Sequence, residues 1–141
     1  MQAIILAAGM GRRLKELTKD STKCMVRVGG RTLIERALSQ LDGFGLDRIV
    51  IVAGYRGGKL KDYVRSLKIR TPIVFVDNPV YDKTNNIYSL YLAKDYLLED
   101  DTLLLESDLI FEERVLRRLV EAPYPSLALV AKYESWMDGT V

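Results

Sequence analysis

Apolar residues gather in short unbroken runs at Ala3–Leu6, Ile49–Ala53, Ile73–Val76, Leu103–Leu105 and Leu127–Ala131. Such runs are the signature of strands buried on both faces, not of strands with one wet side. Between them, apolar positions recur at helical spacing over Thr32–Leu41, Lys59–Leu67, Asn86–Tyr96 and Glu112–Val120. Strands alternating with helices predict an α/β fold, a Rossmann-like three-layer sandwich around a mainly parallel, mixed sheet. Asn85 or Asn86 is placed to N-cap the third helix, and Gly43 and Gly45 to stop the first. No repeat, low-complexity stretch or linker interrupts the pattern, so residues 1–141 read as a single domain.

The first strand runs directly into small residues: Leu6, Ala7, Ala8, Gly9, Met10 and Gly11, followed by Arg12, Arg13 and, further on, Lys23. Open α/β sheets bind ligands at the carboxyl ends of their strands. A loop with almost no side chains there lets backbone N–H groups approach phosphates and a base edge, and the nearby cations favour the same ligand. The loop therefore reads as a polyphosphate site, with a glycine-rich turn that binds nothing as the alternative. A dinucleotide fingerprint is disfavoured because its third glycine would fall on Leu14. A P-loop is disfavoured because Gly58-Lys59 is followed by Leu60 and Ala53 stands where its first glycine belongs.

Composition narrows the chemistry. With 141 residues, 48% hydrophobic and 28% charged, the chain has the makings of a globular domain. No apolar run approaches the ~20 residues of a membrane span, and no signal pattern precedes the first strand, so a cytoplasmic protein without a membrane partner is expected. Cys24 is the single cysteine and there is no histidine. That removes Ser-His and Cys-His catalysis and every His-ligated metal. The net charge of +2 hides a split: basic residues dominate positions 1–40, whereas Asp95, Glu99, Asp100, Asp101, Glu106, Asp108, Glu112 and Glu113 make a later segment acidic. Cations for a polyphosphate and carboxylates for a divalent metal would produce that division. The basic stretch lacks interleaved aromatics and any nucleic-acid motif, which argues against DNA or RNA as a partner.

The run LAAGMGRRL with Lys23 downstream resembles the signature of nucleotidyltransferases that attach a nucleoside monophosphate to a phosphorylated small molecule. Thr22 and Thr32 stand where many members of that family carry proline. Asn85-Asn86-Ile87-Tyr88-Ser89-Leu90 narrows the likeness to the phosphocholine and 2-aminoethylphosphonate cytidylyltransferases. The resemblance implies a nucleotide-diphospho-sugar-transferase-like fold. It also implies that the chain is C-terminally truncated, since family members are longer and usually place a second metal-binding carboxylate in the part beyond. The acceptor half of the site is then expected to be incomplete.

Roles follow from the resemblance and from the chemistry together. Lys23 is the expected catalytic cation at the α-phosphate, and Arg13, aided by Arg12, the grip on the β- and γ-phosphates. Asp108, just past the fourth strand, is the expected Mg²⁺ ligand, with a helix N-cap as its structural alternative, while Glu106 is expected to face the other side of the strand. Asn85, Asn86 and Ser89 could read a cytosine edge, and Gly54 could let the base approach the backbone. Trp136, Asp138 and Lys132 are acceptor candidates, the indole and carboxylate for an ammonium group and the lysine for the phosphate. The leading reading is Mg²⁺-dependent transfer of CMP from CTP to phosphocholine or 2-aminoethylphosphonate, releasing pyrophosphate. A sugar-1-phosphate nucleotidyltransferase and a non-catalytic nucleotide-binding module are the alternatives, and the sequence leaves a homodimer open.

Overall fold

A computed structural model of the chain describes residues 1–11, 16, 18–130 and 132–136. Four strands, β1 (Gln2–Ala7), β4 (Ile49–Ala53), β5 (Ile73–Asp77) and β6 (Thr102–Glu106), form a wholly parallel sheet in the order β5-β4-β1-β6. The antiparallel component of the chain is a separate short ribbon, β2 (Arg27–Val28) with β3 (Arg31–Thr32), turned by Gly29 and Gly30 at positive φ. Sequence patterning misses this ribbon because two-residue strands have no periodicity.

Strand order dictates the layers. The chain steps from β1 to β4 through α1 (Leu33–Leu41) and from β4 to β5 through α2 (Gly57–Ser66), always in one direction. It then crosses back to β6 through α3 (Asn86–Leu92) and α4 (Lys94–Glu99). Right-handed crossovers running in opposite directions put the two helix pairs on opposite faces of the sheet. Ile4, Leu6, Val50 and Val52 accordingly pack with Ala93, Leu90 and Tyr96 on one face. Ile5, Ile49 and Ile51 are equally buried, and the buried sides of α1 and α2 (Ile34, Leu38, Leu41, Leu60, Val64) supply their cover. The single helix expected over Asn86–Tyr96 is broken at Ala93, which is fully buried under the sheet and leaves helical geometry at ψ 12°.

At the far edge of β1, the buried Gln2 knits the layers: its amide donates to the Tyr96 carbonyl and the Thr102 hydroxyl, and its oxygen accepts from Arg48. The two threonines at expected proline positions keep proline-like backbone, with φ −76° at Thr22 and −74° at Thr32. Thr32 also caps α1, its hydroxyl accepting from the Glu35 N–H at 3.1 Å.

The chain divides into two units, Met1–Ile110 and Phe111–Val141. The second holds α5 (Glu113–Val120). The strand expected at Leu127–Ala131 does not form among the described residues: Leu127, Leu129 and Val130 are exposed, the last at 82%, and Ala131 lies outside the described residues. A strand forms only where a neighbouring strand accepts its backbone groups, and among the described residues of this unit there is no such strand.

Candidate functional site

The topology has one reversal of direction, between β1 and its two neighbours, and the carboxyl ends of β1 and β6 flank it. That is where open α/β sheets open a crevice. In register, Leu6 of β1 pairs with Glu106 of β6, so the loop after β1 and the turn after β6 leave the sheet side by side.

At the end of β1, Leu6 and Ala7, and just beyond it Ala8, are buried, so anything they offer a ligand comes from their backbone. Ala8 already gives its carbonyl to the Tyr55 N–H at 3.1 Å. Gly9 is exposed, and a Cβ placed on it would meet open space. Met10 is half-buried. Gly11 takes φ +60°, and its carbonyl accepts from the Thr18 hydroxyl at 3.1 Å. Arg12 and Arg13 lie outside the described residues.

Lys23 opens a 3-10 turn, Lys23–Met25, closed by the Met25 N–H on the Thr22 carbonyl at 3.0 Å. Its ammonium donates to Oδ2 of Asp108, and both side chains are about one-third exposed, at 34% and 32%. The cation and the carboxylate singled out separately in the sequence are thus direct partners at the crevice. Asp108 begins no helix, which removes its capping alternative. Cys24, next to Lys23, is buried with its sulfur 2.9 Å from the Thr22 hydroxyl, and burial pushes its thiol up to about 11. Such a thiol is not a nucleophile at neutral pH.

Glu106 corrects one expectation. It faces the same crevice as Asp108, two residues on, and Asn86 Nδ2 donates to both its oxygens at 2.9 Å. Burial holds the Glu106 carboxyl above the usual carboxylate range; Asn86 and Lys23 pull it down, and the Asp108 charge pushes it further up. Residues at i and i+2 of an extended chain share a face, and a carboxylate two positions before Asp108 at the end of β6 was the signal available.

The asparagine-serine cluster separates into three roles. Asn85 occupies the N-cap of α3 through its carbonyl, which accepts from the N–H groups of Tyr88 and Ser89, while its exposed side chain makes no capping bond. Asn86 holds Glu106. Ser89 is turned into the protein: it is 2% exposed and its hydroxyl accepts from Asn78 Nδ2 at 3.1 Å. Asn78, not singled out in the sequence, organises this loop, donating also to Thr84 and accepting from the Val80 N–H at 3.0 Å.

Gly54 also has a different reason for being glycine. A Cβ there would come within 2.7 Å of Tyr81 Cβ and 2.8 Å of the Ala8 carbonyl oxygen, so the close approach that requires glycine is that of the protein's own chain. The residues after it brace the segment leading to Lys23: the Tyr55 hydroxyl donates to the Lys19 carbonyl at 3.0 Å and Lys59 to the Asp20 carbonyl at 2.9 Å. Lys132 and Trp136 belong to the unit Phe111–Val141, where both are exposed, and Asp138 lies outside the described residues.

A divalent cation fits the donor set within limits. Among the described residues no three His, Cys, Asp or Glu side chains converge as a cage. Two neighbouring carboxylates, Asp108 and Glu106, are compatible with Mg²⁺, which takes few protein ligands and completes its shell with phosphate oxygens and water, although Asp108 is engaged by Lys23 here. No helix among the described residues is long and apolar enough to cross a membrane.

Comparison with known proteins gives the family. Over 141 aligned residues the chain is 36% identical to the CTP:phosphoglutamine cytidylyltransferase of Campylobacter jejuni, covering 96% of this chain and 54% of that one. It is 39% identical over 112 residues to the 2-aminoethylphosphonate cytidylyltransferase of Lancefieldella rimae, covering 79% and 44%. Among solved structures, the CTP:phosphocholine cytidylyltransferase of Streptococcus pneumoniae superposes with a TM-score of 0.65 at 38% identity, covering 76% of this chain and 44% of that one. The chain therefore spans about half the length of the curated relatives it matches. The family described as MobA-like NTP transferase domain matches residues 3–137. A match that leaves out only a few residues at either end admits one conclusion: the chain belongs to the MobA-like NTP transferases and, within them, is similar to the cytidylyltransferases of phosphoamines and phosphonates.

Proposed function

We propose that this chain is the nucleotide-binding part of a cytidylyltransferase that moves CMP from CTP to a small amine-bearing phosphate or phosphonate, with phosphocholine and 2-aminoethylphosphonate the leading acceptors. The observation that carries this reading is the meeting of Lys23 with Asp108 beside the glycine loop, in a chain whose relatives are named for CTP and amine-bearing acceptors.

The reaction needs no general base. An oxygen of the acceptor's phosphate or phosphonate, already ionised at neutral pH, bonds to the α-phosphorus of CTP. The bond from that phosphorus to the bridging oxygen breaks, and pyrophosphate leaves with its electron pair. The barrier lies in bringing anions together, so fixed positive charge does most of the catalysis. Lys23 supplies that charge at the α-phosphate. Arg13 and Arg12 hold the outer phosphates, and the backbone of Ala7 to Gly11 lines the approach. Asp108, with Glu106 beside it, would hold Mg²⁺, which when bound supplies further charge neutralisation for the departing pyrophosphate. Asn85 and the carbonyl oxygen of Asn86 are the groups left to read the base. Trp136, Asp138 and Lys132 stay in the proposal as acceptor contacts, and the cytoplasm as its compartment.

The test is calorimetric titration with CTP, UTP, GTP and ATP in Mg²⁺, followed by pyrophosphate release with each acceptor. Preference for CTP and release dependent on an amine-bearing acceptor is the expected outcome. Preference for UTP with release dependent on a sugar 1-phosphate would overturn it, as would the absence of nucleotide binding.

A further inference from the structure

The proposed function, on which this inference rests, gives Lys23 and Asp108 duties toward opposite charges, yet each is engaged by the other: the Lys23 ammonium donates to Asp108 Oδ2. An ammonium held by a carboxylate is partly lost to a phosphate, and a carboxylate oxygen holding an ammonium is partly lost to a metal. The pair is anchored at both ends, the first carbons of Lys23 lying against Gly11 and Asp108 sitting in the turn directly after β6, while the charged tips stay about one-third exposed and able to part. Glu106 sharpens the competition. Asn86 fixes this second carboxylate near Asp108, so removing the Lys23 charge leaves two like charges that need another cation between them.

We infer that the Lys23–Asp108 ion pair couples the two ligands of the site: nucleotide draws Lys23 off Asp108 and so opens Asp108 to the metal, while metal on Asp108 releases Lys23 to the phosphates. Metal and nucleotide then each bind more tightly in the presence of the other, beyond the affinity they have for each other in solution. Either one alone must first break the pair.

The experiment is a double-mutant cycle read by binding. Affinity for CTP is measured in EDTA, and affinity for Mn²⁺ alone by its paramagnetic effect on water relaxation, for the wild-type chain, Asp108→Asn, Lys23→Met and the double variant. Asp108→Asn, which keeps the side chain's shape, should bind metal-free CTP about three- to tenfold more tightly than wild type, the range of a partly exposed ion pair. Lys23→Met should bind Mn²⁺ more tightly by a similar factor. In the Lys23→Met background the CTP gain from Asp108→Asn should vanish. An equal gain in that background would assign the effect to the general field of Asp108 and overturn the inference, as would unchanged Mn²⁺ affinity in Lys23→Met. Both results would leave the functional reading standing if wild type binds CTP with Mg²⁺. Failure of wild type to bind CTP under any condition would remove the functional reading and this inference with it.

Discussion

Gly11 lies on the stem of Lys23: a Cβ at position 11 would stand 3.1 Å from Lys23 Cβ and 3.0 Å from the Thr18 methyl. The glycine loop and the lysine, twelve residues beyond Gly11, are therefore packed as one unit. Gly11→Ala should lower kcat at least tenfold, because the new methyl moves Lys23 and because φ +60° strains any side chain. Its cost in stability should stay near 1–2 kcal/mol, since the loop is partly exposed. Turnover and a urea melt on the same variant separate the two effects.

Lys23→Met should lose about 3 kcal/mol of transition-state stabilisation, the size typical of a preorganised charge, with little change in urea midpoint. Its side chain is one-third exposed and its ion pair sits at the crevice, so the fold does not depend on it. A kcat/KM within threefold of wild type would remove Lys23 from the reaction.

Gly54→Ala is the opposite case. Its Cβ would meet backbone and Cβ atoms that cannot swing away. A loss of about 3 kcal/mol in chemical denaturation is expected, at the upper end for overpacking.

Asn78→Ala removes a buried amide that donates to Thr84 and Ser89 and accepts from Val80, and should cost about 2–3 kcal/mol. Ser89→Ala should cost about 1 kcal/mol and leave CTP affinity unchanged, because the hydroxyl is turned into the protein. Loss of CTP binding in a folded Ser89→Ala would return this residue to the nucleotide site.

Cys24 offers a pH test. Burial raises its thiol from the ordinary 9.0 to about 11, so the folded chain holds the proton more tightly than the unfolded one. The associated stability is fully present below pH 9 and falls as pH rises toward 11. Thiol labelling at pH 8 should be slow in the folded chain and fast in denaturant.

Local patterns in the sequence were enough for the four sheet strands, the first helix and the glycine loop. Burial on both faces demands unbroken apolar runs, as in β1 and β4, whereas β5 and β6 at the sheet's edges carry such runs while only partly buried, with Leu104 50% exposed; close backbone approach demands small residues, and both demands are written within a few neighbouring positions. Lys23 and Asp108 were legible for the same reason, as single residues whose chemistry stands out at the end of a strand or loop. Their pairing was not, because it joins positions 85 residues apart and needs both the pairing of β1 with β6 and the return of the chain after the glycine loop to bring Lys23 beside Asp108. Tertiary packing likewise decided that Glu106 shares the Asp108 side, that Ser89 serves Asn78, and that Gly54 makes room for Ala8 and Tyr81. It also left Leu127–Val130 outside any sheet, although the composition of that run is that of a strand. Periodicity and residue chemistry specify what each segment is able to form; which groups meet depends on strand order and register, and those belong to the folded chain as a whole.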